Sequence, residues 1–586
     1  MHNAQQRIPG IVIGGTGSNT GKTTVTLALL CALASRGLAV RAAKTGPDYI
    51  DAAFHAAITG QPAANLDAWM CHQAPAPPVE KPFTGGKGLP KGLQTVFDRM
   101  AASPSGTDRA PDMLLVEGAM GLYDGGHAGA GSTAHLAALL DLPILLVCSA
   151  AGLGQSVAAL VEGYLRHKPQ WLNAKSTPPR FLGIVCTHIG SQRHAEIIAD
   201  ALKPLEKSDN VPLLGLLPRT GAPELQSRHL GLVEAREALP ALDRAALTNW
   251  LEDHCRLDAL LKRAGVAGAP SRGTASGSPE KTAPLADTPE AALTSRFFPP
   301  CLPNAATIRN SAIQADNQEL QQDAASLFAP GLTTIAATKA RTTRGAPRPL
   351  IGMAWDAAFS FCYADLPALL TELGADVVPF SPLRDAAPPQ GCTGLYFPGG
   401  YPELHAEELG ANLPMLRHLR ALAQKNLPIY GECGGYIYLM RSLRMEGQPE
   451  LREYAMAGLL PLHCVLGKTR SALGYRAALA LPGWPERPAR LKTPVAGQTR
   501  SKPGSKPGSK PLWVRGHEFH YAREDDGPLP PHCAPLWQLH DSKGTLLRQE
   551  GCRCGSVAGT WLHCYPEGSR TFWRAWLKTA TPPRSS

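Results

Sequence analysis

Two short segments of this 586-residue sequence carry residue types and spacings that can do chemistry. The first, GGTGSNTGKTT at residues 14–24, follows an apolar run at 11–13 and precedes an apolar helical pattern that extends to about Ser35. Strand, glycine-rich loop and helix in this order form a phosphate-binding loop, because the glycines let backbone N–H groups converge at a helix N-terminus. The segment predicts a site for Mg·ATP or Mg·GTP.

The side chains of this loop suggest separate roles. Lys22 is expected to reach the outer phosphates, and the Thr23 hydroxyl to hold Mg²⁺. The loop is one residue longer than usual, because Thr16 stands where the first glycine is expected and the loop runs from Gly15. Such a loop resembles that of dethiobiotin synthetase, an ATP-dependent enzyme that acts on carboxylates. The predicted nucleotide-binding residues are Gly15, Gly17, Asn19, Thr20, Gly21, Lys22, Thr23 and Thr24.

The second segment, GECGG at residues 431–435, lies between a short apolar run at 428–430 and an apolar helical start at 436–439. A cysteine between glycines at a strand-to-helix turn is a nucleophile elbow, where helix N–H groups are expected to lower the thiol pKa and stabilise an oxyanion. Cys433 is therefore a candidate nucleophile. His517, His520 and His563 are candidate bases.

The elements around these segments indicate two α/β domains. Apolar runs at 113–116, 144–147 and 182–185 alternate with helical patterns, which predicts a doubly wound parallel sheet over 9–262. An Ala-, Pro-, Ser- and Thr-rich stretch at 263–348 predicts a linker. A second α/β domain is predicted over 349–578, with a flexible SKPG-repeat insertion at 494–511. Residues 44–55 are predicted to form a polar turn, and residues 81–95 a surface insertion.

Composition excludes several classes of protein. No run of 18 apolar residues and no secretory leader pattern is found, so we expect a cytoplasmic protein without a membrane partner. The fourteen cysteines are scattered and are expected to stay reduced. Cys552 and Cys554 are interpreted as ordinary thiols, with a metal site as the alternative. Of the net charge of +10, eight charges lie in residues 262–348 and 494–511, which indicates solvated segments and no nucleic-acid surface.

Several motifs occur together in an order that is specific for one family. The chain resembles the cobyrinic acid a,c-diamide synthase family, the glutamine-dependent amidases of corrinoid biosynthesis. The resemblance covers nearly everything outside residues 1–8, 81–95, the linker and the insertion. The motifs that carry it are GTGSNTGKTT, KTGPDYIDAAFH, VEGAMGLYDG with GSTAHLA, LQSRHLGL, FPGGYPE, GECGGYIYL, ALGYR and RGHEFHY.

The resemblance implies a P-loop, dethiobiotin-synthetase-like amidoligase domain followed by a class I glutamine amidotransferase-like domain. It implies that Cys433 forms a thioester with glutamine and that His563 is its base, with His517 and His520 ranked second. Other class I amidotransferases carry a Glu two residues after this His. Tyr565 stands there and Glu567 follows, so a Cys–His dyad is the expectation.

In the ligase domain, Thr23, Asp48 and Glu117 are the implied Mg²⁺ ligands. The implied substrates are ATP, glutamine and a corrinoid polycarboxylate, whose a and c acetates react through acyl phosphates. The resemblance allows a homodimer. Two alternatives stay open: a related tetrapyrrole amidotransferase, such as cobyric acid synthase or nickel-sirohydrochlorin a,c-diamide synthase, and a P-loop switch ATPase with an idle amidotransferase-like module.

Overall fold

A computed structural model describes most of the chain, and its contacts divide the described residues into two units. The described ranges are 8–72, 89–102, 110–126, 129–172, 177–221, 242–266, 348–446, 452–486, 511–525 and 527–581. The first unit contains residues 8–69 and 89–266, and the second contains 70–72 and 348–581. Most of the predicted linker, and residues 494–510 of the predicted insertion, therefore lie outside the described residues.

The first unit is built on a parallel sheet of seven described strands in the order β3-β2-β4-β1-β5-β6-β7. The strands are β1 (Gly10–Gly15), β2 (Val40–Thr45), β3 (Ala64–Leu66), β4 (Met113–Glu117), β5 (Ile144–Ser149), β6 (Phe181–Ile189) and β7 (Leu213–Pro218). The helices are α1 (Lys22–Ser35), α2 (Tyr49–Thr59), α3 (Lys91–Ala101), α4 (Thr133–Leu140), α5 (Val157–Arg166), α6 (Gln192–Asp209), α7 (Arg244–His254) and α8 (Leu257–Ala264).

Helix α1 lies in the core of this unit. Leu27, Leu29, Leu30 and Leu33 are fully buried, so apolar side chains point to more than one face of the helix. Strands β1, β4 and β5 are also buried along nearly their whole length, as the unbroken apolar runs predicted for a parallel sheet with both faces covered. The predicted doubly wound architecture is confirmed, and it fixes the position of the glycine-rich loop between β1 and α1.

Two local predictions in the first unit are wrong. Residues 44–55 are not a continuous turn, because α2 begins at Tyr49. The Asp48 side chain caps this helix by accepting hydrogen bonds from the N–H groups of Ile50 and Asp51. Residues 91–95 are not part of a surface insertion. They begin α3, whose face carrying Leu93 is buried.

The second unit has a central sheet of seven described strands in the order β18-β21-β22-β11-β10-β8-β9, parallel from β22 to β9. Further sheets run in the orders β13-β12-β14-β17 and β20-β19-β15-β16-β23. The helices are α9 (Leu366–Glu372), α10 (Ala406–Ala411), α11 (Leu413–Gln424), α12 (Gly434–Leu439) and α13 (Arg570–Ala580). The strands are β8 (Leu350–Ala354), β9 (Asp376–Phe380), β10 (Gly394–Phe397), β11 (Ile429–Glu432), β12 (Ser442–Met445), β13 (Glu453–Ala455), β14 (His463–Leu466), β15 (Ala472–Ala480), β16 (Trp513–His520), β17 (Ala522–Glu524), β18 (Cys533–Ala534), β19 (Trp537–His540), β20 (Leu546–Glu550), β21 (Cys552–Cys554), β22 (Val557–Thr560) and β23 (His563–Cys564).

An aromatic cluster fixes the middle of the central sheet. The ring of Tyr430 on β11 packs against Phe572 and Trp573 of α13, at centroid distances of 5.4 and 6.0 Å. All three side chains are fully buried. Because β11 ends at Glu432, this packing holds the strand from which the cysteine elbow projects.

A short segment from the N-terminal half of the chain belongs to the second unit. Residues 70–72 follow β3 by a few residues, yet they pack with the second unit. The Tyr363 hydroxyl donates to the Met70 sulfur at 3.8 Å. A Cβ at Gly568 would lie 1.8 Å from the Met70 carbonyl oxygen, so this close approach requires a glycine.

Within the described ranges, no helix is both long enough and apolar enough to cross a membrane.

Candidate active sites

The glycine-rich loop closes over the Lys22 side chain in the first unit. Lys22 Nζ donates to the Gly17 carbonyl oxygen at 2.6 Å, and Thr20 Oγ1 donates to the same oxygen at 3.2 Å. A Cβ at Gly15 would lie 2.6 Å from Thr20 Oγ1 and 2.7 Å from Lys22 Cδ. A side chain at this position would have to displace Thr20 and Lys22, in agreement with a loop that runs from Gly15.

Backbone conformation sets the turn into α1. Asn19 has a φ of +59° and Gly21 a φ of +86°, so the chain makes a left-handed turn directly before Lys22. The Thr187 hydroxyl, at the end of β6, donates to the Thr20 carbonyl oxygen at 2.7 Å. Thr24 lies in the first turn of α1. The predicted nucleotide-binding residues thus form one loop that is anchored by a neighbouring strand.

Glu117, at the carboxyl end of β4, is the centre of a buried polar cluster beside the loop. Its Oε1 accepts hydrogen bonds from Thr23 Oγ1 at 2.7 Å and from Lys44 Nζ at 2.9 Å. Its Oε2 lies 2.7 Å from His55 Nε2. Lys44 Nζ also contacts Asp51 Oδ2 at 2.5 Å. Both carboxylate oxygens of Glu117 are therefore engaged by side chains from β2, α1 and α2.

Charges within this cluster compensate one another. Burial alone raises the pKa of a carboxyl group, but Lys44 and His55 outweigh it and hold the pKa of Glu117 well below its usual value. Burial opposes the charged form of Lys44 too, and Glu117 and Asp51 overcome it and raise the Lys44 pKa. Glu117 and Lys44 are therefore charged although both side chains are buried.

Oxygen ligands suitable for Mg²⁺ are present at this place. The Thr23 hydroxyl and the Glu117 carboxylate are in direct contact, and hydroxyl and carboxylate oxygens are the ligands that Mg²⁺ prefers. Asp48 differs from the other two predicted ligands, since its Oδ1 accepts from the N–H groups of Ile50 and Asp51 and so caps α2. Thr23 and Glu117 therefore fit a magnesium site, whereas the described contacts of Asp48 are those of a helix cap.

Cys433 occupies the strained turn between β11 and α12 in the second unit. Its φ of +47° lies in a region that non-glycine residues rarely adopt, as at a nucleophile elbow. Its N–H donates to the Thr560 carbonyl oxygen at 2.7 Å. A Cβ at Gly435 would lie 2.1 Å from the Phe397 carbonyl oxygen, so the turn fits against β10 only without a side chain there.

The net lowering of the Cys433 thiol pKa that we expected is wrong, although a helix N–H group does act in the expected direction. Burial raises the thiol pKa, Glu403 adds to this, and the hydrogen bond from the Gly434 N–H lowers it without reversing the shift. The resting thiol is therefore protonated and requires a base. A sequence motif shows the helix start but not the degree of burial, and burial decides the direction of the pKa shift.

His563 lies at the same edge of the central sheet as Cys433. Strands β11 and β22 are parallel neighbours with Glu432 opposite Thr560, so Cys433 and the residues after Thr560 follow adjacent carboxyl ends. Burial, with a smaller effect of His520, lowers the pKa of His563 to about 3. Its imidazole is therefore neutral at physiological pH and able to accept a proton.

Glycines of the loop after β10 touch both halves of this pair. A Cβ at Gly399 would lie 2.4 Å from His563 Cε1. A Cβ at Gly434, directly after Cys433, would lie 2.8 Å from the Gly400 nitrogen. The backbone of 399–400 therefore runs close to both the base and the elbow.

The two other candidate histidines support the site differently. His517 is paired with His563 across the β16–β23 ladder, and the two rings stack at a centroid distance of 4.7 Å. Tyr363 Oη lies 3.0 Å from His517 Nδ1. The His520 ring stacks on Trp561 at 4.4 Å. Burial holds the pKa of His517 well below its usual value.

Two glutamates of this region, Glu518 and Glu567, form ion pairs. The buried Glu518 accepts from Arg476 Nε at 2.5 Å and also contacts Arg548, which joins the ALGYR and RGHEFHY motifs. Both oxygens of Glu567 accept from Arg570, at 2.9 and 3.0 Å. Glu567 therefore has a structural partner, and the dyad remains the prediction for the catalytic pair.

Comparison with known proteins identifies the two halves. Residues 11–233 match a CobQ/CobB/MinD/ParA nucleotide binding domain, and residues 350–571 match a CobB/CobQ-like glutamine amidotransferase domain. Among curated proteins, the chain is 32% identical over 560 residues to hydrogenobyrinate a,c-diamide synthase of Brucella anthropi, covering 94% of this chain and 98% of that protein.

Two further relatives agree with this match. The chain is 33% identical to cobyrinate a,c-diamide synthase of Gloeobacter violaceus, covering 95% of this chain and 93% of the relative. It is 34% identical to hydrogenobyrinate a,c-diamide synthase of Streptomyces coelicolor, with 95% and 94% covered. The chain belongs to the cobyrinate/hydrogenobyrinate a,c-diamide synthase family. The expected order of a nucleotide-binding domain and a glutamine amidotransferase domain is confirmed.

The structure adds residues to which the sequence assigned no role in this family member. His55 and Asp51 were quoted only as part of a motif, although their four-residue spacing on α2 predicts that they share a face toward β4. Thr187 lies outside the quoted motifs, and Gly399 was likewise quoted only within the FPGGYPE motif. Their importance depends on contacts with Thr20 and with His563, which are far away in the sequence.

Proposed function

We propose that this chain amidates the a and c acetate carboxylates of cobyrinic or hydrogenobyrinic acid in cobalamin biosynthesis, with ATP and with ammonia from glutamine. One observation carries the proposal: a phosphate loop with a buried Glu117 cluster and a strained cysteine elbow lie on one chain whose relatives match it over 94% of its length. An amidation that needs both activation and ammonia uses both sites.

The ligase reaction starts at the phosphate loop. The γ-phosphoryl group of ATP passes to a corrin carboxylate and forms an acyl phosphate, with ADP as the leaving group. Ammonia then attacks the acyl carbon, and phosphate leaves. Lys22 stabilises the negative charge on the transferred group. Thr23, Asp48 and Glu117 would hold Mg²⁺, which neutralises phosphate charge when bound.

Ammonia comes from the elbow. His563 takes the proton of the Cys433 thiol as the sulfur attacks the glutamine amide carbon, and N–H groups of the elbow, such as that of Gly434, stabilise the oxyanion. The proton then passes to the departing ammonia. Water hydrolyses the thioester to glutamate and restores the thiol. Because the resting thiol pKa is raised, the neutral His563 imidazole is the essential partner.

The same proposal includes the setting of the reaction. We place the protein in the cytoplasm, with ATP, glutamine and a corrinoid polycarboxylate as small-molecule ligands and no nucleic-acid or membrane partner, and with a homodimer as the assembly to test. Domain limits of 9–262 and 349–578 around a linker at 263–348 are part of it.

The test is mass spectrometry of cobyrinic and hydrogenobyrinic acid after incubation with the protein, Mg·ATP and glutamine. We expect two successive carboxyl-to-amide changes on one of the macrocycles. No change on either, with glutaminase activity present, would refute the proposed substrate and favour another tetrapyrrole acid. Absence of glutaminase activity would favour an ATPase with an idle amidotransferase-like module.

Variants separate the two half-reactions. Cys433→Ala is expected to abolish glutamine-dependent amidation while free ammonia still supports it, and Lys22→Ala to abolish both. Cys392→Ala, a cysteine change away from the elbow, is the matched control and should keep both activities. Loss of the ammonia-dependent activity in a folded Cys433→Ala protein would contradict this division of labour.

A further inference from the structure

Three potential metal ligands come together at the edge of the second unit's central sheet. β18 pairs antiparallel with β21, and this register places Cys533 opposite Cys554. His532 directly precedes β18. His532, Cys533 and Cys554 each offer one ligand atom, and these three atoms lie within 4.8 Å of one another.

A third thiol lies beside this group. Cys552 is two residues before Cys554 on β21, so the two side chains point to the same face of the strand. Cys552 is fully buried, and its thiol lies within hydrogen-bonding reach of Cys533. Together the four side chains form a group of three sulfur atoms and one imidazole, which we call the edge cluster.

We propose that the edge cluster binds one Zn²⁺ ion, through His532, Cys533 and Cys554, with Cys552 in the fourth position. Thiolate and imidazole are the ligands that zinc prefers, and three sulfurs with one nitrogen form a known type of closed structural site. Bond lengths near 2.3 Å for sulfur and 2.0 Å for nitrogen place tetrahedral ligand atoms roughly 3.5–3.8 Å apart. The ligand atoms of His532, Cys533 and Cys554, which lie within 4.8 Å of one another, need to approach by no more than about 1.3 Å.

The surroundings of the edge cluster support a fixed site. The Cys533 N–H donates to the Pro530 carbonyl oxygen at 2.8 Å, so a tight turn positions His532 and Cys533. After Cys554, Gly555 has a φ of +62° in the turn that connects β21 to β22. The ligands are thus held by backbone turns at both strands.

The location indicates a structural role. β18 and β21 close one edge of the sheet, and β21 pairs with β22, which in turn pairs with β11 below Cys433. A metal ion that joins β18 to β21 would hold this antiparallel edge in register. The inference does not depend on which carboxylates the enzyme amidates.

The test measures metal in the full-length protein. The protein is purified under reducing conditions, reconstituted with Zn²⁺, freed of loose metal by gel filtration and analysed by inductively coupled plasma mass spectrometry. We expect about one zinc per chain, as for a closed site. Cys554→Ser and His532→Ala should lower the zinc affinity by at least about tenfold. Cys392→Ser, a partly buried cysteine outside the cluster, should retain zinc.

Cobalt substitution identifies the ligands independently of activity or stability. Co²⁺-loaded wild type should show the thiolate charge-transfer band and tetrahedral d–d bands, and Cys554→Ser at saturating Co²⁺ should lose about one third of the charge-transfer absorbance, since two of the three thiolates remain. Absence of stoichiometric zinc after reconstitution would overturn the proposal. So would unchanged zinc affinity in Cys554→Ser, or a Cys533–Cys554 disulfide in the reduced preparation.

Discussion

A methyl group added at Gly399 should displace the proposed base of the glutaminase site. The new Cβ would lie 2.4 Å from His563 Cε1 and 3.2 Å from Nδ1. Since nonbonded carbons settle about 3.5 Å apart, the ring must move by about 1 Å. A shift of this size costs on the order of 100-fold in rate, or about 2.7 kcal/mol of transition-state stabilisation. We therefore expect Gly399→Ala to lower kcat/KM for glutamine about 100-fold.

The assay measures glutamate release, with ammonia-dependent amidation measured in parallel. Gly399→Ala should leave the ammonia-dependent reaction unchanged, because the ligase site is in the other unit. Gly467→Ala is the matched control, since a Cβ there would meet its nearest neighbour, Glu446, only at 3.4 Å. Thermal unfolding of both variants reports any general loss of structure.

A second substitution separates an effect through His563 from a general packing defect. If Gly399→Ala acts by displacing the base, then adding it to His563→Asn should cause little further loss, because the two changes remove the same function. Additive losses would show that Gly399 acts elsewhere. A glutamine kcat/KM within about threefold of wild type would refute the reasoning, since a displaced base should cost far more.

Two further predictions follow from the two sites. The pKa of His563 is lowered to about 3, so a pH–rate profile should show kcat/KM for glutamine falling less than about twofold from pH 7.5 to 5.5. A base with an ordinary pKa near 6.5 would give about a tenfold fall over the same range. Gly15→Ala adds a Cβ 2.7 Å from Lys22 Cδ and should weaken ATP binding, as measured by isothermal titration calorimetry. Gly163→Ala is the control, because it lies in α5 outside the loop and its Cβ would meet no atom within 4 Å. Equal affinities for the two variants would contradict the loop packing.

The features that the sequence predicted are those encoded by neighbouring residues. Strand, loop and helix at residues 10–35, and the turn around Cys433, depend on glycines and apolar runs within a few positions of one another. The sheet order and the pairing of the sites with distant partners depend on packing across the fold. Gly399 beside His563 is one example, and no local pattern contains that contact.

Burial and strand pairing, which the sequence does not show, affect the cysteines of the second unit. The Cys433 elbow was recognised from its sequence, but its thiol pKa moves in the direction opposite to the expected one because the surrounding fold removes water from the sulfur. Cys552 and Cys554 were interpreted as ordinary thiols because they form a lone C-x-C pair in the sequence. Only the pairing of β18 with β21 makes them neighbours of Cys533.

The Lys44–Glu117 pair offers a test of the charge compensation at the ligase site. Both side chains are buried, so Lys44→Met leaves a carboxylate with less compensation, at a cost of about 3–5 kcal/mol in unfolding free energy. Glu117→Gln should also be costly, because it removes one partner of the buried Lys44 ammonium group. Asp51 remains as the other partner of Lys44. The double variant Lys44→Met/Glu117→Gln removes both charges and should be more stable than the sum of the two losses predicts.

The pH dependence of these variants follows from the direction of the Glu117 shift. In the wild type the pKa of Glu117 is depressed, so the stability it contributes is present above its ordinary pKa and is lost as the pH falls through the folded value. In Lys44→Met, burial dominates and raises the pKa of Glu117. The loss of unfolding free energy caused by this substitution should therefore shrink as the pH falls and Glu117 takes up a proton, by up to about 1.4 kcal/mol per pH unit. Urea unfolding followed by circular dichroism at several pH values measures this. Lys203→Met, which breaks the exposed pair with Asp200, is the control. A Lys44→Met penalty no larger than that of the control would mean that Glu117 does not carry a buried charge that needs Lys44.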